Sequence, residues 1–157
     1  MTRRFLTLAA VAALTSLLSL AADKPNYTGA WKINSAKSDF GPMPQGPDKF
    51  ERTVDHKDPA MKMTTVQSMN GNERTTDVAY TINGQEQVVK TGMGEVKVTP
   101  AWKDNSLEVT SKREIQGMEI KSLEKWSLSA DGKVLTVETT LNTPQGDFTM
   151  KFVLDKQ

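Results

Sequence analysis

The stretch Gly94–Leu128, GEVKVTPAWKDNSLEVTSKREIQGMEIKSLEKWSL, decides how this chain folds. Apolar and polar residues alternate through it with a period of two, the pattern of half-buried strands. Asp104-Asn105 and Gln116-Gly117 interrupt the alternation, and both pairs tolerate the positive φ of two-residue hairpin turns. Those turns fix a register: Trp102 faces Leu107, Val98 faces Ser111, Ile115 faces Met118 and Arg113 faces Ile120. Directly opposed side chains share a face. Val96, Val98, Trp102, Leu107, Val109, Ile115, Ile120 and Trp126 therefore collect on one side. Glu95, Lys97, Glu108, Lys112, Glu119, Lys121 and Lys125 collect on the other. A slip of one residue would invert the whole set, so the agreement across two turns specifies an antiparallel meander.

The same reading extends in both directions. It predicts strands over Tyr27–Asn34, Lys49–Lys57, Met61–Asn70, Glu73–Ile82, Gln85–Thr91, Lys133–Leu141 and Phe148–Leu154. Asn83-Gly84 reads as a hairpin placing Tyr80 opposite Gln87 and Val78 opposite Val89. A four-residue loop at Ser129–Gly132 places Leu128 opposite Lys133, and the last hairpin aligns Leu141 with Phe148. Ser35–Asp48, with three prolines and two glycines, is the one long irregular loop. No interior segment has a helical period. A long meander with one apolar face and no helix to cover it must close on itself. The expected fold is an all-β, antiparallel up-and-down barrel of about 8–10 strands, with a β-sandwich as the second choice.

The chain has 157 residues, enough for one domain, with 37% hydrophobic and 25% charged residues and a mean hydropathy of −0.48. This is the composition of a globular protein rather than a disordered or polytopic membrane one. Met1–Ala21 has the form of a signal peptide: Arg3 and Arg4, an apolar run from Phe5 to Leu20, then small residues at Ser19 and Ala21. The domain organisation expected is residues 1–21 as leader and 22–157 as a single barrel domain, in a bacterial periplasm or secreted. The net charge of +1 is too small for a nucleic-acid surface. No membrane anchor is expected to remain after cleavage, and a monomer is expected.

The inward face also receives Arg52, His56, Gln67, Arg74, Gln87, Ser111, Arg113, Ser122 and Glu124. A packed core avoids unpaired polar groups. Their presence points to a lumen that holds a small, mainly apolar molecule, with an anionic end where a cation can meet it. Arg113 is the expected anchor for that end, with Arg52, Tyr80, Gln87, Ser111, Glu124 and Trp126 completing the ligand-binding set. The alternative is an interaction or envelope accessory module with a filled core, working through Ser35–Asp48 or the barrel rim.

Tyr27-Thr28-Gly29-Ala30-Trp31-Lys32-Ile33 resembles the Gly-x-Trp opening strand of lipocalins and intracellular fatty-acid-binding proteins. Asp131–Thr136 is similar to a late hairpin of the latter. The resemblance implies a calycin-type barrel whose first tryptophan closes one end. It also implies a helix pair after the first strand and an Arg-x-Tyr carboxylate anchor in the last. Here the first slot holds Ser35–Asp48 and the second reads Met150-Lys151-Phe152, so neither feature carries over. Trp31-Lys32 followed by Lys37-Ser38-Asp39-Phe40-Gly41-Pro42 further resembles a group of exported bacterial proteins of unknown function.

Other chemistries have thin support. Zero cysteines exclude disulfides, thiolate metal sites and a cysteine nucleophile, and the single histidine excludes multi-histidine sites. His56, Met61 and Met63 fall on one face of a hairpin and form a soft-donor set suited to Cu(I), the only metal site the sequence offers. His56 is also the sole candidate axial ligand for haem. No cofactor motif is present. There is no Gly-x-Ser-x-Gly elbow, and the one constellation able to polarise a substrate is Glu124 with Arg113 and Tyr80. An enzyme is not the expected reading.

Overall fold

The computed structural model describes residues 24–157, so the expected leader lies outside the described residues. Ten strands run in chain order: β1 (Gly29–Ile33), β2 (Lys49–Lys57), β3 (Ala60–Met69), β4 (Asn72–Thr81), β5 (Gln87–Thr91), β6 (Gly94–Lys103), β7 (Ser106–Ile115), β8 (Met118–Leu128), β9 (Val134–Thr143) and β10 (Gly146–Lys156). They form one antiparallel sheet in the order β4-β3-β2-β1-β10-β9-β8-β7-β6-β5. First and last strands pair, through Trp31 with Lys156 and Ile33 with Leu154, and this seam rolls the meander into a barrel. The barrel expectation holds and the sandwich does not. Among the described residues no helix is long and apolar enough to cross a membrane.

The turns behave as their chemistry requires. Gln116 and Gly117 take φ of 52° and 77°, the paired left-handed conformation of a type I′ turn. The register they set is the expected one, with Val98 opposite Ser111 and Arg113 opposite Ile120. Two expectations are corrected. Leu128 lies opposite Leu135, not Lys133, and Trp126 opposite Val137. The Asp131 carboxylate accepts from the Lys133 N–H and the Ser129 hydroxyl accepts from the Val134 N–H, which draws both residues into the turn. The shift is two residues, so every side chain keeps its face.

The second correction is larger. β4 and β5 share no ladder, so Tyr80 does not face Gln87, nor Val78 Val89. The Ile82 N–H bonds the Pro59 carbonyl and the Gly84 N–H bonds the Pro100 carbonyl. The turn is thus held by its neighbours, and β4 and β5 diverge, leaving the barrel open along that seam. Gln87 spans the break. Its amide accepts from the Thr81 N–H at 2.9 Å and donates to the Thr81 carbonyl at 2.6 Å. A side chain there replaces part of the missing ladder.

The proline-rich segment is not an unattached loop. After a 3-10 turn at Ser35–Lys37, Asp39 and Lys151 exchange backbone hydrogen bonds of 2.8 and 2.7 Å with β10. Phe40 then packs edge-on against Phe152, their centroids 5.6 Å apart. A Cβ at Gly46 would collide with the Phe40 ring, so glycine is needed where the chain folds over it.

The opposite end of the barrel is floored by aromatic residues. Trp31, as the Gly-x-Trp resemblance implied, is buried there and donates its indole N–H to the Tyr27 carbonyl at 3.0 Å. Tyr27 is fully buried. It lies edge-on to Trp126 at 5.5 Å and stacks on Trp102 at 6.1 Å and His56 at 5.7 Å. Its hydroxyl donates to the Trp126 carbonyl at 2.9 Å and accepts the Leu107 N–H at 3.4 Å. Burial pushes its phenol up to about 12, against a smaller opposing effect of the Leu107 bond. Removing one partner from a buried hydrogen bond strands the other. Tyr27→Phe should therefore lower unfolding free energy by about 1–3 kcal/mol in urea titration with an unchanged m-value.

Candidate functional site: the barrel lumen

The period-2 pattern points alternate residues of every strand into the barrel, and above the floor these do not fill it. A cavity of about 680 Å³ is lined by Val78, Val89, Val96, Val98 and Val109, with Met63 and Phe50. A second space of about 390 Å³ continues from it and shares Phe50, Arg52, Gln67, Ser111, Arg113 and Glu124. The filled core of the interaction-module alternative is therefore not what this sequence builds.

Depth along the strands sorts the polar residues. On β7, Leu107 touches the floor and Ile115, 42% exposed, marks the mouth. Ile115 lies on the inward face as expected and lines the cavity at its exposed end. Arg113 therefore sits near the mouth and Ser111 at mid-depth, where its hydroxyl bonds Ser122 at 2.7 Å. Arg74 and Gln67 also line the wider space. Met43, Met69, Met93 and Met150 contribute to the lining from the loops and outer strand positions.

Three polar side chains stand directly on the floor. Arg52 lies with its guanidinium carbon 5.0 Å from the Trp126 ring centre and 5.1 Å from that of Phe50, and its Nε donates to the Thr65 hydroxyl at 3.0 Å. Trp126 in turn donates its indole N–H to a Glu124 carboxylate oxygen at 2.9 Å. One tryptophan thus supports Arg52 by its face and Glu124 by its edge, a cation–π contact and a charge-assisted hydrogen bond. Tyr80 is 7% exposed, and its hydroxyl has no hydrogen-bond partner among the described residues. Burial lowers the Arg52 pKa, offset in part by the charge of Glu124. Burial, then Glu124, raises that of Tyr80, with Arg52 opposing. The three groups therefore act on one another.

Of the expected ligand-binding residues, Arg52, Tyr80, Ser111, Arg113 and Glu124 line the cavity together. Gln87 does not, being committed to Thr81 across the open seam. Trp126 is buried beneath the cavity and supports the site without lining it. Phe50 and Thr65 belong to the lumen but were not singled out from the sequence. Phe50 shares the strand parity of Arg52, Val54 and His56, and that signal was available.

The register places His56 opposite Met61, with Met63 one step further, as the copper reading required. His56, however, is a floor residue. Its Nδ1 accepts the Tyr27 N–H at 3.3 Å, which puts the proton on Nε2. Nε2 faces the Asp58 carboxylate at 3.8 Å, and that same carboxylate oxygen takes the Trp102 indole N–H at 2.8 Å. Nδ1 is thus engaged and the ring stacked on Tyr27, while Nε2 is buried with no hydrogen-bond partner among the described residues. Among the described residues no group of three or more His, Cys, Asp or Glu side chains could hold a metal ion.

No protein-family model and no curated protein matches the chain. Solved structures do match it. Zebrafish ileal bile acid-binding protein, complexed with cholic acid, aligns with a TM-score of 0.57 at 16% identity, over 83% of this chain and 98% of that one. Secretory abundant heat soluble protein 4 from Ramazzottius varieornatus aligns with a TM-score of 0.56 at 14% identity, over 83% and 94%. At these identities the likeness is one of fold. The chain has a near-closed ten-stranded antiparallel barrel like that of these two proteins.

Burial lowers the His56 pKa below its usual value, with Asp58 acting in the opposite direction. Below the unfolded pKa of about 6.5 the unfolded chain then binds more protons than the folded one. Stability contributed by the neutral ring is full above that pH and is lost as pH falls. Unfolding free energies measured from pH 7.5 to 5 should decline more steeply for the natural chain than for His56→Gln.

Proposed function

We propose that this protein is an exported, monomeric binding protein that carries a small, mainly apolar molecule in its barrel lumen, in the periplasm or outside the cell. The observation that carries the reading is the lumen itself, about 680 Å³, where valine, methionine and phenylalanine side chains share the wall with a set of polar ones. Small-molecule sites have this size. Export is supported by the sequence of Met1–Ala21. Affinity would come from apolar burial, roughly 25 cal/mol per Å² before ordering terms are subtracted. Arg113 and Arg74, placed towards the mouth, would hold an anionic outer end. The zebrafish neighbour, a bile acid-binding protein complexed with cholic acid, supports a comparable use of this barrel.

Val96 lines both parts of the lumen and is partly buried. Val96→Trp should fill the space. The chain should bind 1-anilinonaphthalene-8-sulfonate with blue-shifted emission at micromolar dye. The variant should bind at least tenfold more weakly while its urea midpoint stays close to that of the natural chain. Equal dye binding by both would place the dye outside the barrel.

A further inference from the structure

We propose that Arg52, Tyr80 and Glu124 form a donor–acceptor pocket at the inner end of the lumen that takes an uncharged hydroxyl on the ligand. The inference rests on the lumen reading and deepens it by specifying the chemistry of the ligand's buried end.

The three residues come from β2, β4 and β8 and line the same cavity. Among the described residues, Arg52 uses only Nε in a hydrogen bond, to Thr65, so its two terminal nitrogens remain as donors. Glu124 engages one oxygen, with Trp126. The Tyr80 hydroxyl is buried and unpartnered. No ion pair joins Arg52 to Glu124, although both lean on the Trp126 ring. The inner end thus offers donors and an acceptor in one cavity, and its two charges are opposite.

Each class of ligand end meets this set differently. A hydrocarbon end would leave every group unpaired at the point where water is displaced, and stranding buried polar groups is costly. A carboxylate accepts but cannot donate, so it would satisfy Arg52 and Tyr80 while its charge opposed that of Glu124. A hydroxyl does both: it donates to Glu124 and accepts from Arg52 or Tyr80. Sites built to hydrogen-bond a hydroxyl reject analogues that lack it far more strongly than apolar pockets reject a missing methylene. Near the mouth stand two cations for an acid at the other end, Arg113 and Arg74, the latter also donating to the Met93 sulfur. The ligand class is then an elongated amphipath with a hydroxyl inside and an acid outside.

The test compares 16-hydroxyhexadecanoate with hexadecanoate as competitors of 1-anilinonaphthalene-8-sulfonate on the full chain after processing. The hydroxy acid should bind at least tenfold more tightly. Tyr80→Phe and Glu124→Gln should each erase most of that advantage while leaving hexadecanoate almost unchanged, and Arg113→Ala should weaken both acids alike. Tyr80→Phe removes a hydroxyl with no protein partner, so its urea midpoint should not fall; a site group and a structural group separate on this readout. If the dye binds and the two acids displace it equally, the hydroxyl pocket is overturned and the lumen reading stands. If the dye does not bind, the lumen reading fails and this inference fails with it.

Discussion

Everything in this molecule depends on the five residues of Gly29–Ile33. Without them the other nine strands are a sheet with one apolar face and nothing to cover it. This short strand bonds β2 on one side and β10 on the other, so the two arms of the meander curl into a wall around an interior. Tyr27, just before it, then fastens the floor by linking the Trp126 carbonyl, the Leu107 amide and the Trp31 indole. Closure and flooring come from one stretch of chain. That stretch is short, and eight of the other nine strands, all but β5, run nine to eleven residues and rise well above it.

The open seam between β4 and β5 is the counterpart of that closure. β5 has five residues against ten in β4, and the two strands do not pair. Exposed strand edges invite foreign pairing. Here Gln87 occupies part of the edge with its own amide, and charged residues such as Lys62, Asp77 and Lys90 surround the groove outside it. Ion pairs across the outer surface, such as Lys90 with Glu95 at 4.0 Å, are largely exposed and contribute little to stability. The stability of this cysteine-free chain resides in the aromatic floor and the valine-lined wall.

The sequence made much of this legible because period-2 alternation and two-residue turns constrain each other. Lys49–Lys57, Gly94–Lys103, Ser106–Ile115 and Met118–Leu128 stand where the alternation places them. Asn83-Gly84 misled because hairpin chemistry describes a turn and not the strands beyond it. There, contacts with Pro59 and Pro100, distant in sequence, hold the turn. The polar lining was legible as a set, through parity. Its division into levels was not, because depth depends on how far each strand runs past the floor. Arg113 stands out in the sequence as the anchor, while the structure sets Arg52 deeper, on a tryptophan that also holds Glu124. The sequence offers His56 as a ligand only in the minor soft-donor and haem alternatives, and its place in the floor depends on Tyr27, 29 residues away.

The central claim is that the interior of this barrel is a binding space for one small amphipathic molecule. Native mass spectrometry of the full-length chain, expressed in a bacterial host and gently purified, tests it most directly. The account predicts a monomer carrying a single non-covalent organic adduct, released by solvent extraction and regained when the extract is returned. A chain that leaves the cell bare, and stays bare when offered lipid extracts of its host, would contradict it.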